Sequence, residues 1–153
     1  MKTTNVILTS SLHQSYEDRL KSLLFFNPAQ RKAMSGIETS IEKFGLPRIN
    51  KSNDKLTVTV GNLPDVQTIF AMIKNNKVVE LAGVMIFFRE SKNNITLLHI
   101  AVSDEYSLSN LKGSYIITMM LVSELKKIAK RIKQIQTITI LYKKDKIGKI
   151  HIR

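Results

Sequence analysis

The sequence predicts an α/β protein, with a mixed, mostly antiparallel central sheet and helices on both faces. Three observations predict it. Residues 66–102 read as apolar strand patterns joined by short Asn-rich turns, a run of antiparallel hairpins. The last of these strands, residues 95–102, is apolar on both sides, as a central strand covered on both faces must be. A long amphipathic pattern over residues 115–133 then leads into a further strand at 137–142, which adds a helical crossover to the sheet.

The elements follow in order. Residues 6–9 are a short apolar run that reads as an edge strand. Ser11 with Gln14 three positions on has the form of a capping box. Behind it Leu12, Tyr16, Leu20, Leu23 and Leu24 recur at helical spacing. Asn27 and Pro28 break this helix and start another: Asn27 suits the N-cap, Pro28 the first helical position, and Gln30 completes a second box. Ala33, Met34, Ile37, Ile41 and Phe44 line one face of that second helix, and Gly45 and Pro47 end it. Residues 48–55 are polar and read as a loop. Residues 56–60 alternate apolar side chains with Thr, as a half-buried strand does.

A turn at 61–65 leads into the three strands at 66–74, 78–89 and 95–102. In the last, simple alternation puts Ile95, Leu97 and Ala101 on one face and Leu98, Ile100 and Val102 on the other. His99 falls on the face of Leu97 and Ala101. A loop over 103–114 feeds the helix, whose buried stripe is Ile117, Leu121, Leu125, Ile128 and Ile132. Its front half, through Val122, is apolar nearly all round and is expected to be buried. Residues 143–148 read as a loop and 149–153 as a last short strand.

At 153 residues, 43% of them hydrophobic, the chain suffices for one domain spanning 1–153 with a core of its own. It has no cysteine, which removes disulfides and thiolate metal sites. His13 and His151 have no partners at ligand spacing, so no metal is expected. The first residues carry no leader-like apolar run, and the longest apolar run, 81–88, is too short for a bilayer. A cytoplasmic protein without membrane contact is expected.

The net charge is +12, from 24 basic and 12 acidic residues. Residues 126–153 hold ten of the bases against one acid, Asp145. Lys126, Lys127, Lys130, Arg131 and Lys133 share one arc of the helix, and Lys143, Lys144 and Lys146 follow the next strand. A field of this sign attracts polyanions. Two readings stand: a surface for nucleic acid or an acidic protein, with Tyr142 among the lysines as a stacking side chain, or a solvated lysine face.

Several segments together resemble the cofactor-binding half of the GNAT N-acetyltransferase superfamily. Ile69-Phe70-Ala71-Met72, Val78-Val79 and Leu81-Ala82-Gly83-Val84 look like its second and third strands. Leu98-His99-Ile100-Ala101-Val102 looks like its fourth, with Ser103, Asp104, Glu105 and Tyr106 as the turn. The helix from Tyr115 and the strand at 137–142 complete the likeness, which covers residues 66–142. In that family a loop of Gln or Arg, two residues, Gly, one residue and Gly or Ala holds the coenzyme A pyrophosphate on backbone N–H groups. The aligned stretch here is Asn110, Leu111, Lys112, Gly113, Ser114 and Tyr115. Gly113 matches, Asn110 stands for the long polar residue, and Tyr115 stands where the pattern has no side chain. Residues 56–60 add a strand to the family's order.

The resemblance implies an acyl-CoA N-acyltransferase-like fold and acetyl-CoA or another acyl-CoA as cofactor. Val102, Asn110, Lys112, Gly113, Ser114 and Tyr115 would hold it, Lys112 as a point charge on a phosphate. The acceptor would be a small-molecule or protein amine. His99 is the candidate base and Tyr142 the candidate acid; each also has an ordinary reading, as a hydrogen-bonded core histidine and a surface tyrosine. The function expected is therefore a divergent N-acyltransferase or acyl-CoA-binding protein. The alternative is a non-catalytic module of the same fold whose basic surface binds nucleic acid or an acidic protein.

Overall fold

The hairpins read from residues 66–102 form the middle of a six-stranded sheet. The computed structural model describes residues 5–25, 40–75, 77–103, 111–141 and 148–153, with the backbone alone at 75 and 111–115. In chain order the elements are β1 (Asn5–Thr9), β2 (Leu12–His13), a 3₁₀ turn (Gln14–Tyr16), α1 (Glu17–Phe25), β3 (Pro47–Ser52), β4 (Lys55–Val60), β5 (Gln67–Asn75), β6 (Val78–Ser91), β7 (Asn94–Val102), α2 (Leu111–Arg131), β8 (Thr137–Ile140) and β9 (Gly148–His151). A helical segment through residues 40–44 precedes β3.

The larger sheet runs β1-β5-β6-β7-β8-β9. All neighbours are antiparallel except β7 and β8, which are parallel and joined through α2. That is the expected mixed, mostly antiparallel sheet, with β7 in its interior. A smaller sheet, β2-β4-β3, packs against one face. Leu56, Val58 and Val60 of β4 point into this contact while Lys55, Thr57 and Thr59 face out, the alternation seen in the sequence.

Two hydrophobic clusters divide at the large sheet. On one face Leu20, Leu23 and Leu24 of α1 and the three apolar residues of β4 meet Phe70, Leu81, Val84, Ile86 and Leu98. On the other, Ile117, Leu121, Leu125 and Ala129 of α2 meet Ile69, Ala71, Met85, Phe87, Leu97 and Ile138. Helices thus lie on both faces. Gly83 allows α2 its close approach: a Cβ there would lie 3.3 Å from Ile117 and 3.2 Å from the Ala101 carbonyl oxygen. Arg153 donates to the carbonyls of Ile135 and Lys130, so one of the ten C-terminal cations closes the end of α2.

Several expectations change. Residues 48–55 are a hairpin, not a loop, because Asn53 and Asp54 take φ of 53° and 64° and turn β3 back on β4. Ser11 starts no helix: Leu12 and His13 are extended against Leu56 and Lys55, and His13 Nδ1 accepts from the Ser15 N–H ahead of the 3₁₀ turn. Helix α2 begins at Leu111, so residues 111–114 belong to its first turn and not to the loop. The front half of α2 is not wholly buried, since Ile116 and Met119 are each 52% exposed. The helix expected from Asn27 and Pro28 falls outside the described residues up to its last turn, which Gly45 closes at φ 101° with its N–H on the Ile41 carbonyl.

Candidate functional site

The two faces of β7 do not alternate as the sequence suggests. Ile86 pairs with His99 and Phe87 with Leu97, so Leu98 is an extra residue in β7. Such a bulge puts two successive side chains on one side. Leu98 and Ala101 join the α1 cluster, whereas Ile95, Leu97 and Val102 join the α2 cluster. His99 therefore leaves the face of Leu97 and turns with Leu98 toward α1. It lines a cavity of about 40 Å³ with Leu24, Ser40, Ile41, Gly45 and Val60, room for about one water. Its side chain is 5% exposed. Burial lowers its pKa from 6.5 to about 4, which keeps the imidazole neutral at pH 7. Beside it the Ser40 hydroxyl donates to the Leu98 carbonyl at 3.1 Å.

Val102, 8% exposed, lies on the opposite face from His99. A second bulge sits nearby: Ala71 pairs with Gly83 and Met72 with Leu81, leaving Ala82 extra, and the Ala82 carbonyl accepts from the Ser103 N–H at 2.7 Å. This end of the sheet carries a group that the sequence reading did not select. Arg19, half-buried on α1, donates through Nε to the Leu81 carbonyl at 3.1 Å and through a terminal nitrogen to Ser103 Oγ at 2.6 Å. An arginine beside Leu20 in an otherwise apolar helix face was its only signal.

The chain from β7 reaches α2 at Leu111, so Lys112, Gly113, Ser114 and Tyr115 all lie in its first turns. The first four N–H groups of a helix have no partner within it, and the positive end of the helix dipole lies there. Asn110, Tyr142, Lys143, Lys144 and Lys146 lie outside the described residues. On the β8 side the ladder of β7 covers Asn94 to Leu97 only, while on the β6 side it continues to Val102.

Lys126, Lys127, Lys130, Arg131 and Lys133 are all exposed, and none forms a salt bridge among the described residues. The larger cavity lies beside this half of α2, an open groove of about 570 Å³ between α2, β4 and the β1–β5 edge. Phe70, Phe87 and Ile128 line its apolar part, Thr9, Thr57 and Gln67 its polar rim, and Glu124 and Arg131 its helical wall. Residues of five elements, β1, β4, β5, β6 and α2, spread from Leu8 to Arg131, meet there, which is why no local motif announced it. Among the described residues no cluster of three or more His, Asp or Glu could hold a metal, and no helix is long and apolar enough to cross a membrane.

No family profile matches this chain, and neither a curated protein nor a solved structure is significantly similar to it.

Proposed function

We propose that the chain is an acyl-CoA-binding protein of the N-acyltransferase type, acting on an amine acceptor. The observation that carries this reading is the connection β5–β6–β7–α2–β8. Three antiparallel strands feed a helix start at the end of an interior strand, and the next strand returns parallel to it. This is the order the family resemblance implies. It supplies what coenzyme A needs. The free N–H groups in the first turn of α2 suit a pyrophosphate, and Gly113 in that turn adds no side chain to hold it off. The extended, amide-bearing arm of the cofactor suits a strand edge, and beyond Leu97 the described β8 no longer runs beside β7. When bound, the thioester would supply the acyl group.

His99 is the proton acceptor in this reading. Its low pKa keeps the imidazole as the free base at neutral pH, and the cavity of about 40 Å³ beside it is where an amine tip or a relaying water would sit. Melting curves of the full chain with acetyl-CoA, at low and at moderate salt, test the binding. Ligand at 100 times its dissociation constant should stabilise the fold by about 2.7 kcal/mol. No shift with millimolar acetyl-CoA at either salt removes the reading.

A second reading rests on a separate observation, four exposed cations of α2 and Lys133 two residues beyond its end, none of them in a salt bridge among the described residues. If they bind a polyanion, affinity for duplex DNA should fall steeply with salt, with log K against log salt sloping by roughly −0.9 per neutralised phosphate. Replacing Lys126, Lys127 and Lys130 by Gln should flatten that slope by up to about three. A wild-type chain that passes through heparin at low salt leaves only a solvated face.

A further inference from the structure

We propose that the groove between α2, β4 and the β1–β5 edge is a second ligand site, built for a short apolar peptide with free ends. Its occupant meets Glu124 with its ammonium and Arg131 with its carboxylate. Three observations converge on that chemistry.

The first is the groove itself. At about 570 Å³ it falls within the size range of small-ligand sites, roughly 300–1,000 Å³. Its lining has the composition such sites share, with the partly exposed apolar side chains Leu8, Val66 and Ile128 beside the polar Thr9, Thr57 and Gln67. The second is charge. Glu124 and Arg131 stand on one helical wall, seven residues and so about 10 Å apart. Neither is in a salt bridge among the described residues. An extended chain advances about 3.3 Å per residue, so the two ends of a tripeptide span about the same 10 Å. A simple fatty or aryl carboxylate would use Arg131 and leave Glu124 facing an apolar tail. The third is backbone. β2 covers only Lys55 and Leu56 along one edge of β4, so residues 57–60 have no strand neighbour on that side among the described residues. Leu56, Thr57 and Val58 line the groove together with residues 8–10, which run from β1 toward β2. A peptide main chain can add hydrogen bonds along such an edge.

This site is independent of the acyl-CoA reading, since Glu124 lies thirteen residues, about 20 Å, along α2 from its first residue.

Calorimetric titration of the full chain tests the proposal, with leucyl-glycyl-leucine, its N-acetyl form and its C-terminal amide as probes. The free peptide should bind saturably, and blocking either end should weaken it by about five-fold, the scale of a partly exposed ion pair. Glu124→Gln should lose that factor against the free peptide and nothing further against the acetylated one. Arg131→Gln should do the same with the amide. Both side chains reach solvent, so both variants should melt as the wild type does. No binding of the free peptide at several millimolar overturns the proposal, as does equal binding of a doubly blocked peptide. Decanoate binding as tightly as the peptide, weakened by Arg131→Gln but not by Glu124→Gln, would make this a carboxylate site and overturn it too.

Discussion

His99 owes its position to one extra residue. Without the bulge at Leu98 it would face α2; with it, the imidazole is buried toward α1 and its pKa falls to about 4. The proton is then bound more readily by the unfolded chain, where the pKa is 6.5. The stabilising contribution is whole above about pH 6.5, shrinks as pH drops below it, and is gone by about pH 4. It amounts to about 3 kcal/mol across that window. Urea unfolding of wild type and His99→Gln should therefore diverge: between pH 7.5 and 4 the wild type should lose about 3 kcal/mol more than the variant. Parallel losses would mean that another group carries the acid sensitivity. Gly61 makes a different kind of demand. It has φ of 50°, and a Cβ there would run into the Phe44 carbonyl oxygen, while a Cβ on Gly45 would lie 2.9 Å from Gly61 Cα. The two glycines let the loop after β4 cross the end of the 40–44 helical segment. Gly61→Ala should cost about 1–3 kcal/mol from backbone conformation alone, and the collision adds to it. Gly61→Asn eases the conformation but not the collision, so it should not restore the melting temperature.

Helix α2 has two unequal sides, and substitutions should report them. Leu121 is fully buried against the sheet, whereas Met119 is half exposed. Leu121→Ala should cost about 2–5 kcal/mol, and Met119→Ala less than about 0.5 kcal/mol, both read from denaturant midpoints. Equal costs would mean that the sheet-facing side has been misidentified. What could be read from the residues follows the same logic of burial. The stripe Ile117, Leu121, Leu125 declares the helix, and the unbroken apolar character of residues 95–102 declares an interior strand. β3 is illegible by that measure, since Ile49 is its only large aliphatic side chain within the polar stretch; the turn pair Asn53-Asp54 was the available signal. The end of α2 nearest β7 was misplaced because Gly113 and Ser114 are poor helix formers, and the free first turn of a helix tolerates them. Face assignment in β7 failed for a deeper reason: alternation counts residues along one strand, and a bulge is a mismatch between two. The candidate site shows both outcomes. His99 and Val102 both lie on β7 as the sequence places them, but on opposite faces of it. Arg19 and the groove were invisible, because the partners of Arg19 lie more than sixty residues away and the lining of the groove is spread from Leu8 to Arg131.

At the scale of the whole molecule the six-stranded sheet is held from its centre. β7 has ladders on both sides over Asn94–Leu97 and buried neighbours above and below. The amide of Ala101, which pairs with Val84 of β6, should be among the slowest in native-state hydrogen exchange, and those of β1 and β9 at the two edges faster. Exchange at Ala101 as rapid as in β9 would be incompatible with this architecture. The edge strand β1 carries a further consequence. Its partner is β5, with Asn5 opposite Lys74, whereas β5, β6 and β7 follow one another directly through short turns. Contacts between near neighbours close cheaply and early, while distant ones must first meet the entropy of a long loop. The sheet therefore assembles from its middle outward, and β1, though it is synthesised before its partner β5, is among the last to find its place. Until residue 74 has emerged, the segment around Val6 and Leu8 has no partner of its own to pair with, and in that interval its apolar side is open to capture by chaperones or by other nascent chains.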